Sequence, residues 1–113
     1  RALSIREKSL PQGHPDFATS YNNIGLTYSK LHQFPKAKEY FEKFQKINNS
    51  SRVFRNWAVY YGLQGKKKEA LKNLKKAVAL GYNNLHWIET DDSLESIRKE
   101  KGYKEVIEQL KKQ

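Results

Sequence analysis

Cysteine is absent from these 113 residues, which excludes disulfides and thiolate metal sites. Histidine is scarce and scattered. His14, His32 and His86 belong to three separate loops or helix ends, without the His-x3-His or carboxylate-x-x-His spacing that gathers a metal on one helix face. No apolar run reaches the ~20 residues needed to span a bilayer, and no stretch has the make-up of a signal peptide. A soluble, cytoplasmic protein without a membrane partner is the expectation. No strand leads into a glycine-rich phosphate loop, and no serine carries a local nucleophile signature. The adjacent acids Asp91 and Asp92 read as helix caps, not as a catalytic pair. The chain is therefore expected to be non-enzymatic, with no catalytic residue, cofactor or metal.

Acidic residues are also in short supply, 12 against 22 basic ones, for a formal charge of +10. That excess invites a nucleic-acid or acidic-membrane hypothesis. Lys66, Lys67, Lys68, Lys72, Lys75 and Lys76 crowd one predicted helix, mostly off its Ala70, Leu74 and Ala77 stripe. A solvated outer face is the plainer reading of them, and an acidic partner is the alternative.

What is present is helical periodicity. Between Ser20 and Ile47, Tyr21, Ile24, Gly25 and Tyr28 recur at helical spacing, and after a short break so do Ala37, Phe41 and Phe44. That is one helical hairpin. Phe54, Trp57, Ala58 and Tyr61, followed by Ala70, Leu74 and Ala77, make a second. The aligned alanines Ala37 and Ala70 lie 33 positions apart (70 minus 37). Small residues at Gly25, Ala58, Ala37 and Ala70 let paired helices approach closely, while Tyr28, Tyr61, Phe41 and Leu74 fill the space between them.

These residues resemble the tetratricopeptide signature, W-x2-L-G-x2-Y then A-x3-F then P, whose period is ~34. Asn49 stands where the proline would be. The resemblance implies an all-α fold: a solenoid of helical hairpins wound as a right-handed superhelix, closed by C-terminal capping helices. The whole chain reads as one domain, and its start at Arg1 inside a helical pattern reads as a fragment of a longer protein. Residues 1–9, with Ala2, Leu3 and Ile5, end a preceding hairpin; residues 15–48 and 51–81 are repeats; residues 82–113 form the closing module. The loop LPQGHPDFATSYNN is similar to that of kinesin light chain repeats, which commonly carries a His-Pro-Asp element, here His14, Pro15 and Asp16, and it is expected to be structural. The run from Gly81 to Lys112 looks like the terminal module of many bacterial tetratricopeptide arrays.

Local signals set the boundaries. Pro15 and Pro35 suit first helical turns, Ser50 or Ser51 caps the helix spanning roughly Ser51 to Leu63, and Gly62 and Gly65 weaken its end and mark the turn. Its partner runs from about Lys67 to Leu80 and stops at Gly81. Asn83 and Asn84 cap a short segment with Leu85, Trp87 and Ile88. Asp91 to Ser93 start another helix with Leu94 and Ile97. Gly102 breaks that segment before a last amphipathic helix with Tyr103, Val106, Ile107 and Leu110.

The resemblance places the first helix of each hairpin along a concave groove. Residues there that do not face the partner helix are the candidate peptide contacts: Asn22, Asn23, Leu26 and Lys30 in the first repeat, and Arg52, Arg55, Asn56 and Val59 in the second. Asn23 and Asn56 are equivalent, each two residues before Gly25 or Ala58. Asparagine donates and accepts from one short side chain, so a ladder of them pairs with an extended backbone without reading sequence. Arg52, Arg55 and Lys30 make the face positive, and arginine grips carboxylates through two parallel bonds. The expectation is a protein-interaction scaffold for an acidic, extended or short helical peptide. Nucleic-acid binding through the lysine-rich helix, and a regulatory or self-associating role in a larger signalling protein, are the alternatives.

Overall fold

The computed structural model describes residues 15–112, with side chains from Phe17 onward. The proposed hairpin tail at residues 1–9 and the His14-Pro15-Asp16 loop therefore lie outside the described side chains. The fold is all-α: six α-helices and one 3-10 helix, with no strand among the described residues. The chain divides into two compact units at the junction of Asn49 and Ser50.

The first unit is the hairpin of α1 (Pro15–Lys30) and α2 (Phe34–Ile47). Phe17 and Tyr21, stacked with ring centroids 5.8 Å apart, are buried with Ala37, Phe41 and Phe44. Close approach is possible because position 25 lacks a side chain. A Cβ on Gly25 would stand 2.5 Å from two carbons of the Phe41 ring. Further along, Tyr28 stacks on Tyr40 at 5.8 Å, under the ammonium of Lys36.

Helix α1 ends in a paired-bond cap. The amide of Gln33 donates to the Tyr28 carbonyl at 2.8 Å and that of His32 to the Ser29 carbonyl at 3.0 Å, with His32 at φ 59°. The same two-bond closure recurs at Gly65 (φ 74°) and Gly81 (φ 108°), where glycine takes the left-handed position. His32 holds that position against a steric cost of about 1–2 kcal/mol. His32→Gly is expected to stabilise the hairpin by about 1 kcal/mol, read as a rise in melting temperature. A fall would show that the edge-on contact of His32 with Phe34, at 5.3 Å, outweighs the backbone term.

The second unit begins with α3 (Ser51–Leu63) and α4 (Lys67–Ala79), which pack against each other through fully buried Ala58, Ala70 and Leu74. Ser50 caps α3, its Oγ accepting from the Arg52 amide at 3.3 Å. Beyond Gly81 come α5 (Leu85–Thr90), the 3-10 helix η1 (Asp92–Ile97) and α6 (Lys101–Lys111). Asn84 caps α5 by accepting from the Trp87 amide at 3.1 Å, and Asp91 caps η1 by accepting from the Ser93 amide at 3.1 Å. Ile88, Leu94, Ile97, Tyr103, Val106 and Leu110 join Ala58, Ala70, Leu74 and Val78 in one core. The closing segments are held from within. Arg98 Nη2 donates to the carbonyls of Ile88, at 3.2 Å, and of Asp91, and the Tyr103 hydroxyl donates to Ile88 at 3.2 Å.

Two glycines have a packing role outside the expectation. Gly62 lies in the last turn of α3, near the end it is expected to weaken, and η1 passes directly over it. Gly102 does not break the chain: it is the second residue of α6, close against Leu71 and Lys75 of α4. In both places the missing side chain serves a helix contact, and the bends fall at Gly65 and at residues 98–100 instead.

Candidate functional site

At about 100° per residue, Asn23, Thr27 and Lys30 share one side of α1, and all three are exposed. Leu26 and Asn22 flank them half-buried. The Thr27 hydroxyl donates to the Asn23 carbonyl at 2.9 Å, which fixes its rotamer, and Asn22 Nδ2 makes a loose 3.5 Å contact to Asn23 Oδ1. An open depression of about 320 Å³ lies on this helix, lined by Asn23, Ile24, Thr27 and Tyr28. Its walls combine an amide, a hydroxyl and two apolar side chains, which suits a short stretch of polypeptide.

The corresponding side of α3 is different. Arg52 is exposed and Arg55 half-buried, but Asn56 and Val59 are at 0% exposure. The 3-10 helix η1 packs on α3, and its contacts lie at the C-terminal end of that helix. The Ser96 hydroxyl donates to the Gly62 carbonyl at 3.1 Å, and a Cβ on Gly62 would fall 2.1 Å from the Ser93 carbonyl oxygen. At the other end of the same helix face, the Arg55 guanidinium lies 5.8 Å from the Tyr82 ring centroid and 5.5 Å from that of Trp87. Val59 stands between these contacts on the helix. Arg55 Nε also donates to Asn56 Oδ1 at 3.0 Å. Asn56 and Val59 are thus withdrawn from the ligand-facing set, and Arg55 is engaged by the chain's own aromatic pair.

Tyr82 and Trp87 were not among the sequence candidates. Nothing local links them to Arg55, which precedes them by more than one whole helix. Burial pushes the Tyr82 phenol above its ordinary value; the Arg55 guanidinium, which also hydrogen-bonds to it, and the charge of Arg52 oppose that rise, while Asp91 adds to it. The phenol stays neutral at physiological pH. Its ring meets Trp87 edge-on at 5.9 Å, completing the bracket around the guanidinium.

With both faces described, the packing of α1 on α2 is that of a repeat unit, small residue against aromatic. Residues 18–51 match the tetratricopeptide repeat family. The matched segment covers the first hairpin and ends at the start of α3. No curated protein and no solved structure matches the chain. Tetratricopeptide repeats generally mediate protein–protein interactions and are in general scaffolds without catalytic function. Among the described residues no group of histidine and carboxylate side chains is placed to hold a metal ion, and no helix is long and apolar enough to cross a membrane.

Proposed function

We propose that this chain is a non-enzymatic protein-interaction module that holds an acidic peptide, extended or in a short helical turn, on the first helix of its tetratricopeptide hairpin. The observation that carries the reading is the exposed row Asn23, Thr27 and Lys30 on α1 beside half-buried Leu26 and an open depression. An asparagine amide offers both a donor and an acceptor to a peptide backbone. Lys30 supplies the charge that favours acidic side chains, and Leu26 offers an apolar contact. On α3, taken by itself, Arg52 is exposed while Asn56 and Val59 are buried. The finer likeness to kinesin light chain repeats, and to a bacterial closing module, belongs to this proposal, as does a cytoplasmic setting. It rests on the His14-Pro15-Asp16 loop and on the residues after Gly81.

Calorimetric titration with acidic peptides of the full chain tests the reading. The pair Asn23→Ala and Lys30→Ala is expected to weaken binding by tenfold or more, about 1.4 kcal/mol. Asn56→Ala, after correction for any loss of folded protein, should leave affinity unchanged. Equal affinity in the Asn23 and Lys30 variant would remove α1 as the ligand face.

A further inference from the structure

The lysine-rich face of α4 has a feature that the interaction reading leaves without a role. Two of its lysines have structural work: Lys76 stands over the Phe54 ring at 4.5 Å and Lys66 over Tyr61 at 6.0 Å. Lys68, Lys72 and Lys75 are different. They are exposed, cover no ring, and at spacings of four and three residues form a row of roughly 10 Å along one side of the helix. Like charges four apart disfavour a helix by a few tenths of a kcal/mol per pair, so the row works slightly against α4 itself.

The first turn of α6 runs beside this row. A Cβ on Gly102 would stand 3.2 Å from the Lys75 ammonium and 3.4 Å from Leu71, which brings exposed Lys101 and Lys104 into the neighbourhood. The acids nearby do little to neutralise it. Glu105 reaches Lys75 and Glu100 reaches Lys67, each at 3.9 Å with both partners well exposed, and pairs of that kind contribute little. Lys68, Lys72 and Lys104 form no ion pair among the described residues.

We propose that the row Lys68, Lys72 and Lys75, with Lys101 and Lys104 beside it, is a sequence-independent contact for the phosphate backbone of a nucleic acid. The row's exposed side chains are lysines, and its apolar neighbours, half-buried Leu71 and the small Ala79, offer little area to enter a bilayer or fill a protein pocket, which disfavours a membrane or an apolar protein partner. Lysine ammoniums are point charges on flexible stems. They meet phosphates in many geometries, whereas reading base edges needs side chains of fixed shape. The row shares no residue with α1, so its failure and that of the peptide reading are distinguishable.

Fluorescence anisotropy of the full chain with a labelled duplex of ~20 base pairs, between about 50 and 200 mM salt, provides the test. Binding is expected to weaken steeply with salt. Lys68→Gln, Lys72→Gln and Lys75→Gln together should lower affinity by roughly tenfold or more at the low-salt end and reduce the salt exponent by about 3. The matching triple arginine variant should bind as the native chain does, and the Asn23 and Lys30 variant should retain most binding. No binding at low salt, binding indifferent to the triple glutamine change, or capture by anionic vesicles but not by duplex would each overturn the proposal.

Discussion

Gly62→Ala is expected to lower the stability of the second unit by about 3 kcal/mol and its melting temperature by roughly 12–24 °C. The added methyl would meet the Ser93 carbonyl oxygen at 2.1 Å and its carbon at 3.2 Å. Both belong to backbone, so no rotamer change relieves the contact; η1 must lift off α3. Lifting η1 breaks the Ser96 hydrogen bond and draws on Leu94 and Ile97, both at 0% exposure. Against this stands the helical preference for alanine over glycine, about 1 kcal/mol, which offsets only part of the loss. Gly25→Ala is a graded comparison. Its methyl would meet the Phe41 ring at 2.5 Å, a side chain that can yield by a small shift of the hairpin, so a loss nearer 1–2 kcal/mol is expected in the first unit. Gly65→Ala meets nothing within 4 Å but carries φ 74°, and should cost about 1 kcal/mol from backbone strain alone. Thermal unfolding followed by far-UV circular dichroism ranks the three, with the fluorescence of Trp57 and Trp87 reporting on the second unit. Gly62→Ala at or above native stability would mean that η1 does not sit on α3.

That contact also explains which parts of the molecule were legible in the amino-acid sequence. Helices α3 and α4 begin and end within a residue or two of their expected bounds, and Pro15 and Pro35 stand in the first turns of α1 and α2, because local chemistry sets those bounds, with Ser50 as a cap and Gly65 and Gly81 in left-handed positions. The small residues of each hairpin, Gly25 and Ala37 in the first and Ala58 and Ala70 in the second, were legible for the same reason, since helical spacing puts them on one face. The fate of the asparagine ladder was not. Asn23 and Asn56 occupy equivalent positions, yet one is exposed and the other buried. The difference is one of tertiary packing, and on α3 that packing includes a segment far along the chain, since Ser96 meets Gly62 across 34 positions. Nothing in the residues around Asn56 announces that contact. A glycine near a helix end reads equally as a turn or as a place for another backbone to pass, and only the packing of η1 decides between them. The Arg55 bracket was hidden in the same way, because Tyr82 and Trp87 reach α3 only after the chain has turned at Gly81.

Ending the chain after Gly81 is expected to melt α3 and α4, not simply to uncover them. Six of the ten residues in the second unit's core follow that point: Ile88, Leu94, Ile97, Tyr103, Val106 and Leu110. Full burial of a large apolar side chain contributes about 1.5–3 kcal/mol, so their loss removes on the order of 10 kcal/mol, as much as the whole net stability of a small domain. What remains of the second unit is a hairpin of two 13-residue helices, a length at which isolated helices are marginal in water. The shortened chain should therefore lose more helical signal than residues 82–113 account for, by an amount corresponding to most of α3 and α4. It should also gain no peptide affinity at Arg55, Asn56 and Val59. The opposite result, a hairpin that stays helical and binds acidic peptide through those residues, would make the closing segments a displaceable occupant of the α3 face. It would also make Asn56 a ligand contact on α3. The two outcomes separate cleanly because the same side chains, Leu94 and Ile97, cannot both complete the core and leave it intact on departure.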